Sequence, residues 1–385
     1  MNKQQLTAYL NQQKENDLYR SRAITDSPQG VNIRLNGQSY INFCSNDYLG
    51  LANHPQVTEA FNKGVSLYGV GSGASHLING HSRAHHQLEE ELAEFVERPR
   101  ALLFSTGYMA NLGVISALVG KGDTVFADRL NHASLLDGAL LSQARLQRFK
   151  HADVTDLASK MHSSKANTKL VCADGVFSMD GDIAPLNELT AQTNTPDSWL
   201  MIDDAHGLGT VGKTGRGCLE LSNATLDDVP ILVGTLGKAF GTFGAFVAGS
   251  EELIEYLIQR ARSYIYTTAL PAAVAEASRK SIKLIDLEPW RRTQLTKNII
   301  YFKQCLSQTD LNTVDVGIES GTAIQPIVIG DVQRTVQLSE KLKQRGILVS
   351  AIRPPTVPDN TARLRITLCA EHTHAQIDQL FEGLV

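Results

Sequence analysis

Seven short strand-like segments, most of them apolar, recur between residues 101 and 248, and most are followed by a stretch of helical periodicity. They cover residues 101–104, 124–127, 146–149, 170–173, 199–202, 231–233 and 245–248. Where such a segment is short and apolar throughout, it reads as a strand buried on both faces. Helical patterns at 134–142 and 186–193 lie between these segments and supply the crossovers that parallel strands need, and a further one at 85–96 precedes the first. The chain is therefore expected to be α/β, with a mainly parallel sheet covered by helices.

Around residue 280 the pattern changes. A helix ending near Leu287 leads to strands near 322–329, 347–351 and 363–368, with helices at 333–345 and 375–384. Before the first run lies a polar helix read as far as Arg22, then short segments at 31–33 and 40–43. At 385 residues the chain exceeds one usual domain. The expected division is an N-terminal arm (1–45), a large cofactor-binding domain (46–280) and a small α+β C-terminal domain (281–385).

Composition narrows the function. A net charge of −4 without a basic block argues against nucleic-acid binding. The five cysteines are scattered and form no Cys-x-x-Cys pair, so neither disulfides nor a metal site is expected. No run approaches the ~18 apolar residues of a membrane span, and residues 1–16 lack the apolar core of a signal peptide. The expected location is the cytoplasm, with no membrane partner.

Three segments carry the chemistry. Lys238 follows the run 231–233 in Thr235-Leu236-Gly237-Lys238-Ala239-Phe240-Gly241. Small residues around a lysine let it be shielded from water yet closely approached, and a neutral amine forms Schiff bases. An ordinary strand-end lysine reaching solvent fits the same segment. Asp203 and His206 stand at the carboxyl end of the run 199–202, the edge where open α/β sheets bind ligands. A lone Asp-x-x-His also suits a metal half-site or a strand-end cap. Gly107 and Tyr108 open a helix after Ser105-Thr106, where free amides hold phosphate, although an ordinary capped helix start has the same look. Taken together, an amine, an acid and phosphate donors are what pyridoxal 5′-phosphate requires.

The chain resembles the α-oxoamine synthases, pyridoxal-phosphate enzymes of fold type I that condense a small amino acid with an acyl thioester. The resemblance rests on Ser45-Asn46-Asp47-Tyr48-Leu49-Gly50, Gly71-Ser72-Gly73-Ala74-Ser75 and Asp128-Arg129-Leu130-Asn131-His132-Ala133-Ser134. It continues through Gly175-Val176-Phe177-Ser178-Met179-Asp180-Gly181-Asp182, Asp203-Asp204-Ala205-His206, Thr235 to Lys238, and Ile352-Arg353-Pro354-Pro355-Thr356-Val357-Pro358. One departure stands out. Several members carry arginine after the serine of the glycine-rich segment, where this chain has His76.

The resemblance implies roles residue by residue. Lys238 would hold the cofactor and later take the Cα proton, and Asp203 would keep the pyridine nitrogen protonated. His206 and Ser178 would bond the phenolic oxygen, with Thr235, Gly107 and Tyr108 around the cofactor. His132 would stack on the ring opposite Lys238, although it also suits the start of the helix at Ser134. Arg20, Asn46, Thr356 and Arg365 match substrate positions. Arg363 and Arg365 fall on one strand face, so spacing does not choose between them as the carboxylate grip.

The implied enzyme is a pyridoxal-phosphate-dependent acyltransferase of biotin biosynthesis. It would condense L-alanine with pimeloyl-CoA or pimeloyl-acyl carrier protein, losing carbon dioxide and the thiol. A sister activity, of the glycine C-acetyltransferase or serine palmitoyltransferase type, would keep every cofactor residue. A non-catalytic subunit on the same fold is a rival that the presence of Lys238 disfavours. The resemblance also implies a homodimer in which Thr267 or Thr268 reaches the partner's site, in line with the apolar character of Tyr264-Ile265-Tyr266-Thr267-Thr268-Ala269-Leu270-Pro271. His81, His85, His86 and His151 receive no role, and His85 and His86 read as helix surface.

Overall fold

The computed structural model describes residues 2–309 and 320–384. All seven segments become strands of one sheet, in the order Arg100–Phe104, Ala245–Gly249, Ile231–Thr235, Ser198–Asp203, Lys169–Asp174, Thr124–Asp128, Arg145–Phe149. The last five pair parallel to one another. Ala245–Gly249 runs antiparallel to both of its neighbours. Its placement follows from its connection: a turn, not a crossover helix, joins it to Ile231–Thr235.

The chain divides into two compact units, one of residues 51–178 and 182–292, the other of residues 1–50, 179–181 and 293–385. In the first, the helix Gly107–Leu118 is apolar almost all round and lies in the core with Val125, Leu170, Met201 and Val233. Gly138 of the helix Ala133–Ser142 lets that helix approach it closely, since a Cβ there would stand 2.9 Å from Ile115 Cδ1. Alternate residues of six strands, among them Leu102, Ile231 and Val247, pack with these helices in one core.

The second unit joins the two ends of the chain. Gln38–Asn42 pairs with Asn32–Leu35 on one side and with Ile347–Leu348 on the other. A second small sheet has the order Ile324–Gly330, Ala362–Thr367, Ser350–Ile352. The segment expected as one strand at 347–351 is thus two short strands serving different sheets, with Val349 between them. The polar N-terminal helix covers Lys3–Glu15 and stops well short of Arg22. Asn16 caps it and Asp17 takes a φ of 56°, a left-handed conformation that turns the backbone out of the helix. No helix among the described residues is long and apolar enough to cross a membrane.

Candidate active site

The parallel strands end on polar residues at one edge of the sheet. Asp128, Asp174, Asp203 and Thr235 are the last residues of adjacent strands, and Asp174 and Asp203 are register partners. A cavity of about 180 Å³ opens at this edge. Gly107, Tyr108, His132, Ser178, Asp203, His206, Thr235 and Lys238 all line it, so the structure brings every candidate cofactor residue together. Asn111, Ser134, Asp174 and Ala205 complete the lining.

The two consecutive aspartates separate cleanly. Asp203 faces the cavity, where its Oδ2 accepts from Asn111 Nδ2 at 2.6 Å and its Oδ1 from the Ala205 amide at 3.1 Å. Asp204 points the other way and is fully buried, accepting from the Cys218 amide at 2.6 Å. Burial raises its pKa to about 7. Gly207 and Gly217 pack directly on its carboxyl group, and a Cβ at Gly217 would stand 1.9 Å from Oδ2. Asp204 is therefore a packing residue.

Asn111 and Asp174 are site residues that sequence reasoning passed over. Asn111 is the one strongly polar side chain in the middle of an apolar helix, which was the available signal. The pKa of Asp174 is raised well above the usual carboxylate value by burial and by Asp203 beside it. Its Oδ2 accepts from the His132 amide at 3.0 Å. Its Oδ1 and Asn111 Oδ1 are buried without a hydrogen-bond partner among the described residues, so the site has polar capacity left over.

His132 takes the helix-start position and also stands at the cavity. It is the N-cap of Ala133–Ser142, with Nδ1 accepting from the Ser134 amide at 3.3 Å, and it lines the cavity. Burial lowers its pKa, and Lys238 nearby works in the same direction against Asp203. A neutral ring that accepts at Nδ1 carries its proton on Nε2.

Lys238 sits in the turn between Ile231–Thr235 and Ala245–Gly249. The turn is tied at its base, where Leu236 N–H and Thr235 Oγ1 both donate to the Gly244 carbonyl, at 2.8 and 3.0 Å. Gly241 has a φ of 65° and packs on the backbone of Leu51 and Ala52, so no side chain fits there. At the far end of the cavity Thr106 caps the Met109 amide at 3.2 Å. The Gly107 and Tyr108 amides have no backbone acceptor among the described residues, and a Cβ on Gly107 would meet nothing within 4 Å. An amine, an acid, uncommitted helix-start amides and spare polar atoms around one cavity fit pyridoxal phosphate. Tyr108 is 41% exposed and donates from its hydroxyl to Asp137.

The substrate candidates Arg20, Asn46, Thr356 and Arg365 all lie in the other unit. The structure distinguishes the two arginines that spacing left equivalent. Arg363 is ion-paired with Asp180 and also bonds the Thr361 carbonyl at 3.0 Å. Arg365 donates to Asn46 Oδ1 at 3.2 Å, to which Tyr48 Oη also donates at 3.1 Å. Arg20 and Thr356 are exposed. The reading of His85 as helix surface is corrected: it is fully buried. Its Nε2 donates to the Leu270 carbonyl at 2.6 Å, and its Nδ1 accepts from the Ser82 amide at 3.0 Å. His86 is exposed.

Residues 38–384 match the family Aminotransferase class I and II. The chain is 60% identical to the 8-amino-7-oxononanoate synthase of Methylococcus capsulatus, over 96% of this chain and 95% of that protein. It is 58% identical to that of Nitrosococcus oceani, over 98% and 99%. Among solved structures, a serine palmitoyltransferase from S. paucimobilis with a bound PLP–myriocin aldimine superposes with a TM-score of 0.91 at 31% identity, over 99% of this chain and 96% of that one. The 8-amino-7-oxononanoate synthase of Francisella tularensis superposes with a TM-score of 0.79 at 36% identity, over 90% and 96%.

Proposed function

The chain belongs to the aminotransferase class I and II family and, within it, to the 8-amino-7-oxononanoate synthases, and from this we propose a pyridoxal-phosphate-dependent acyltransferase of biotin biosynthesis. It condenses L-alanine with a pimeloyl thioester, of CoA or of acyl carrier protein, and releases 8-amino-7-oxononanoate, carbon dioxide and the free thiol. The observation that carries the reading is the meeting of Lys238 and Asp203 at one cavity on the carboxyl edge of the sheet.

Bound there, pyridoxal phosphate supplies an electron-withdrawing ring that weakens the bonds at an amino acid's Cα. Lys238 would hold the cofactor through Nζ and would serve as the base for the Cα proton. Asp203 keeps a proton on the ring nitrogen, and the amide of Asn111 fixes the carboxylate's direction. His132 would stack on the cofactor, Ser178 and His206 would offer it hydrogen bonds, and Thr235 and the amides of Gly107 and Tyr108 would bind around it. Arg365, steadied by Asn46, grips the alanine carboxylate through its planar fork of donors. Arg20 and Thr356 contact the substrate beside it.

The protein works as a cytoplasmic homodimer. Ser75 pairs with Thr268, and near this bridge Val70, Ile78 and Tyr266 are 80%, 78% and 70% exposed. An apolar face of this kind calls for a cover, and a second copy supplies it.

A thiol-release assay crossing alanine, glycine and serine with pimeloyl, acetyl, succinyl and palmitoyl thioesters tests the reading. Turnover confined to alanine and pimeloyl donors supports it. Preference for serine and palmitoyl thioester would support the serine palmitoyltransferase alternative, which the TM-score of 0.91 favours and the 60% identity to the synthase disfavours.

A further inference from the structure

On the far side of the same unit a second cavity, of about 300 Å³, is lined by His76, His81, His86, Glu89, Arg100 and Tyr264 among others. We propose that His81, His86 and Glu89 form a site for a zinc-class divalent transition-metal ion, separate from the cofactor cavity.

The local fold assembles the set. A π-helical turn at His76–Gly80 folds the chain back just before the helix Arg83–Phe95. Gly80 permits this, since a Cβ there would stand 2.1 Å from the Ala74 carbonyl oxygen. His81 is thereby set beside the first turns of the helix, on which His86 and Glu89 are three residues apart and share a face. One ligand atom from each of the three lies within 4.8 Å of the others, and His81 Nε2 is 3.9 Å from Glu89 Oε2. Two donors on one tetrahedral zinc ion stand about 3.4 Å apart, from bonds of about 2.0–2.2 Å. Small side-chain rotations close the difference.

The surroundings suit a cation. Two imidazoles and a carboxylate are the donor set of many zinc sites, and three protein ligands leave a fourth position for water. Two of the ligands are already engaged through their remaining atoms. His81 Nδ1 lies 3.0 Å from His76 Nδ1, and Glu89 Oε1 accepts from the Leu103 amide at 2.9 Å. Such outer bonds orient the ligating atoms. The positive charge in the cavity, Arg100, is bound by Glu251 and Glu255 at 2.7 and 3.2 Å. Spacing of cysteines gave no reason to expect this site because none of its ligands is a cysteine.

The test uses tag-free, cofactor-loaded protein, treated with chelator, dialysed and titrated with zinc chloride against a chromophoric zinc indicator. One zinc per chain at micromolar or tighter affinity is expected, weakened at least tenfold by His81→Gln and by His86→Gln. His86 is exposed, so its substitution leaves the packing intact; Glu89→Gln replaces His81→Gln if that variant does not fold, because the amide oxygen still accepts from Leu103. Zinc-edge anomalous scattering locates the ion. A peak among the three side chains supports the proposal. Absence of saturable binding, unchanged affinity in His86→Gln, or a peak elsewhere overturns it.

Discussion

Asn111 reaches Asp203 from a neighbouring helix, donating to its Oδ2 at 2.6 Å while the same amide group donates to Ser134 Oγ at 2.8 Å. The aspartate's direction is therefore set by a residue that also anchors the helix carrying His132.

Asp203→Asn is expected to fold and to lose about 10²–10³-fold in kcat, because an amide does not hold a proton on the ring nitrogen. Asn111→Ala should lose less, about tenfold, by leaving the carboxylate present but loosely aimed. Asp204→Asn should keep kcat within about threefold and cost on the order of 1–2 kcal/mol of stability, since its carboxyl only packs and accepts from Cys218. Steady-state kinetics and urea unfolding separate the three. Retained activity in Asp203→Asn with loss in Asp204→Asn reverses the assignment.

Lys238→Ala should reduce turnover by at least about 10³-fold while pyridoxal phosphate still binds without a covalent link. Borohydride reduction of the wild-type protein followed by peptide mapping should label Lys238. A label on any other lysine rules the assignment out.

His151 bridges Asp128 at 3.0 Å and Asp182 at 2.9 Å. Burial opposes its charge, yet hydrogen bonds to the two carboxylates prevail and its pKa rises to about 9. A raised pKa contributes stability that is complete below the unfolded value of about 6.5 and is lost as pH climbs through about 9. The loss between pH 7 and 10 is on the order of 2 kcal/mol after allowance for solvent screening. Thermal unfolding should show the difference in Tm between wild type and His151→Gln shrinking over this range. A constant difference would show that the imidazolium contributes nothing.

Mixing inactive Lys238→Ala protein with an inactive variant altered at Thr267 and Thr268 tests the shared site. If subunits exchange, mixed dimers hold one intact site and about a quarter of the activity returns. Exchange without recovery removes the contribution in trans, and a monomer active at nanomolar concentration removes the dimer.

What was legible in the sequence follows from how local each signal is. The central strands were readable because burial on both faces leaves almost nothing polar within them, as in Leu170-Val171-Cys172-Ala173; the edge strand Arg145–Phe149, half exposed, carries Gln147 and Arg148. Lys238, Asp203 and His206 were readable because each follows such a run directly. His85 was misread because Arg83 to His86 is a polar stretch, while its ring is drawn inward by the carbonyl of Leu270, far away in the chain. Pairing of Gln38–Asn42 with Ile347–Leu348, which joins the two ends in one unit, likewise leaves no local trace. Arg363 and Arg365 differ only through Asp180 and Asn46, which no spacing rule connects to them.

The turn that carries Lys238 links two strands that pair with each other directly. The other cavity residues at strand ends come from strands joined through helices, whose length can drift without moving the strand tips. Lengthening the segment between Thr235 and Ala245 has no such slack, because the same Gly244 carbonyl receives both Leu236 and Thr235. The reactive amine is thus mounted on the least extensible connection at this edge of the sheet. New chain ends or inserted peptides belong in the helical crossovers, and one placed beside Lys238 would shift the amine itself.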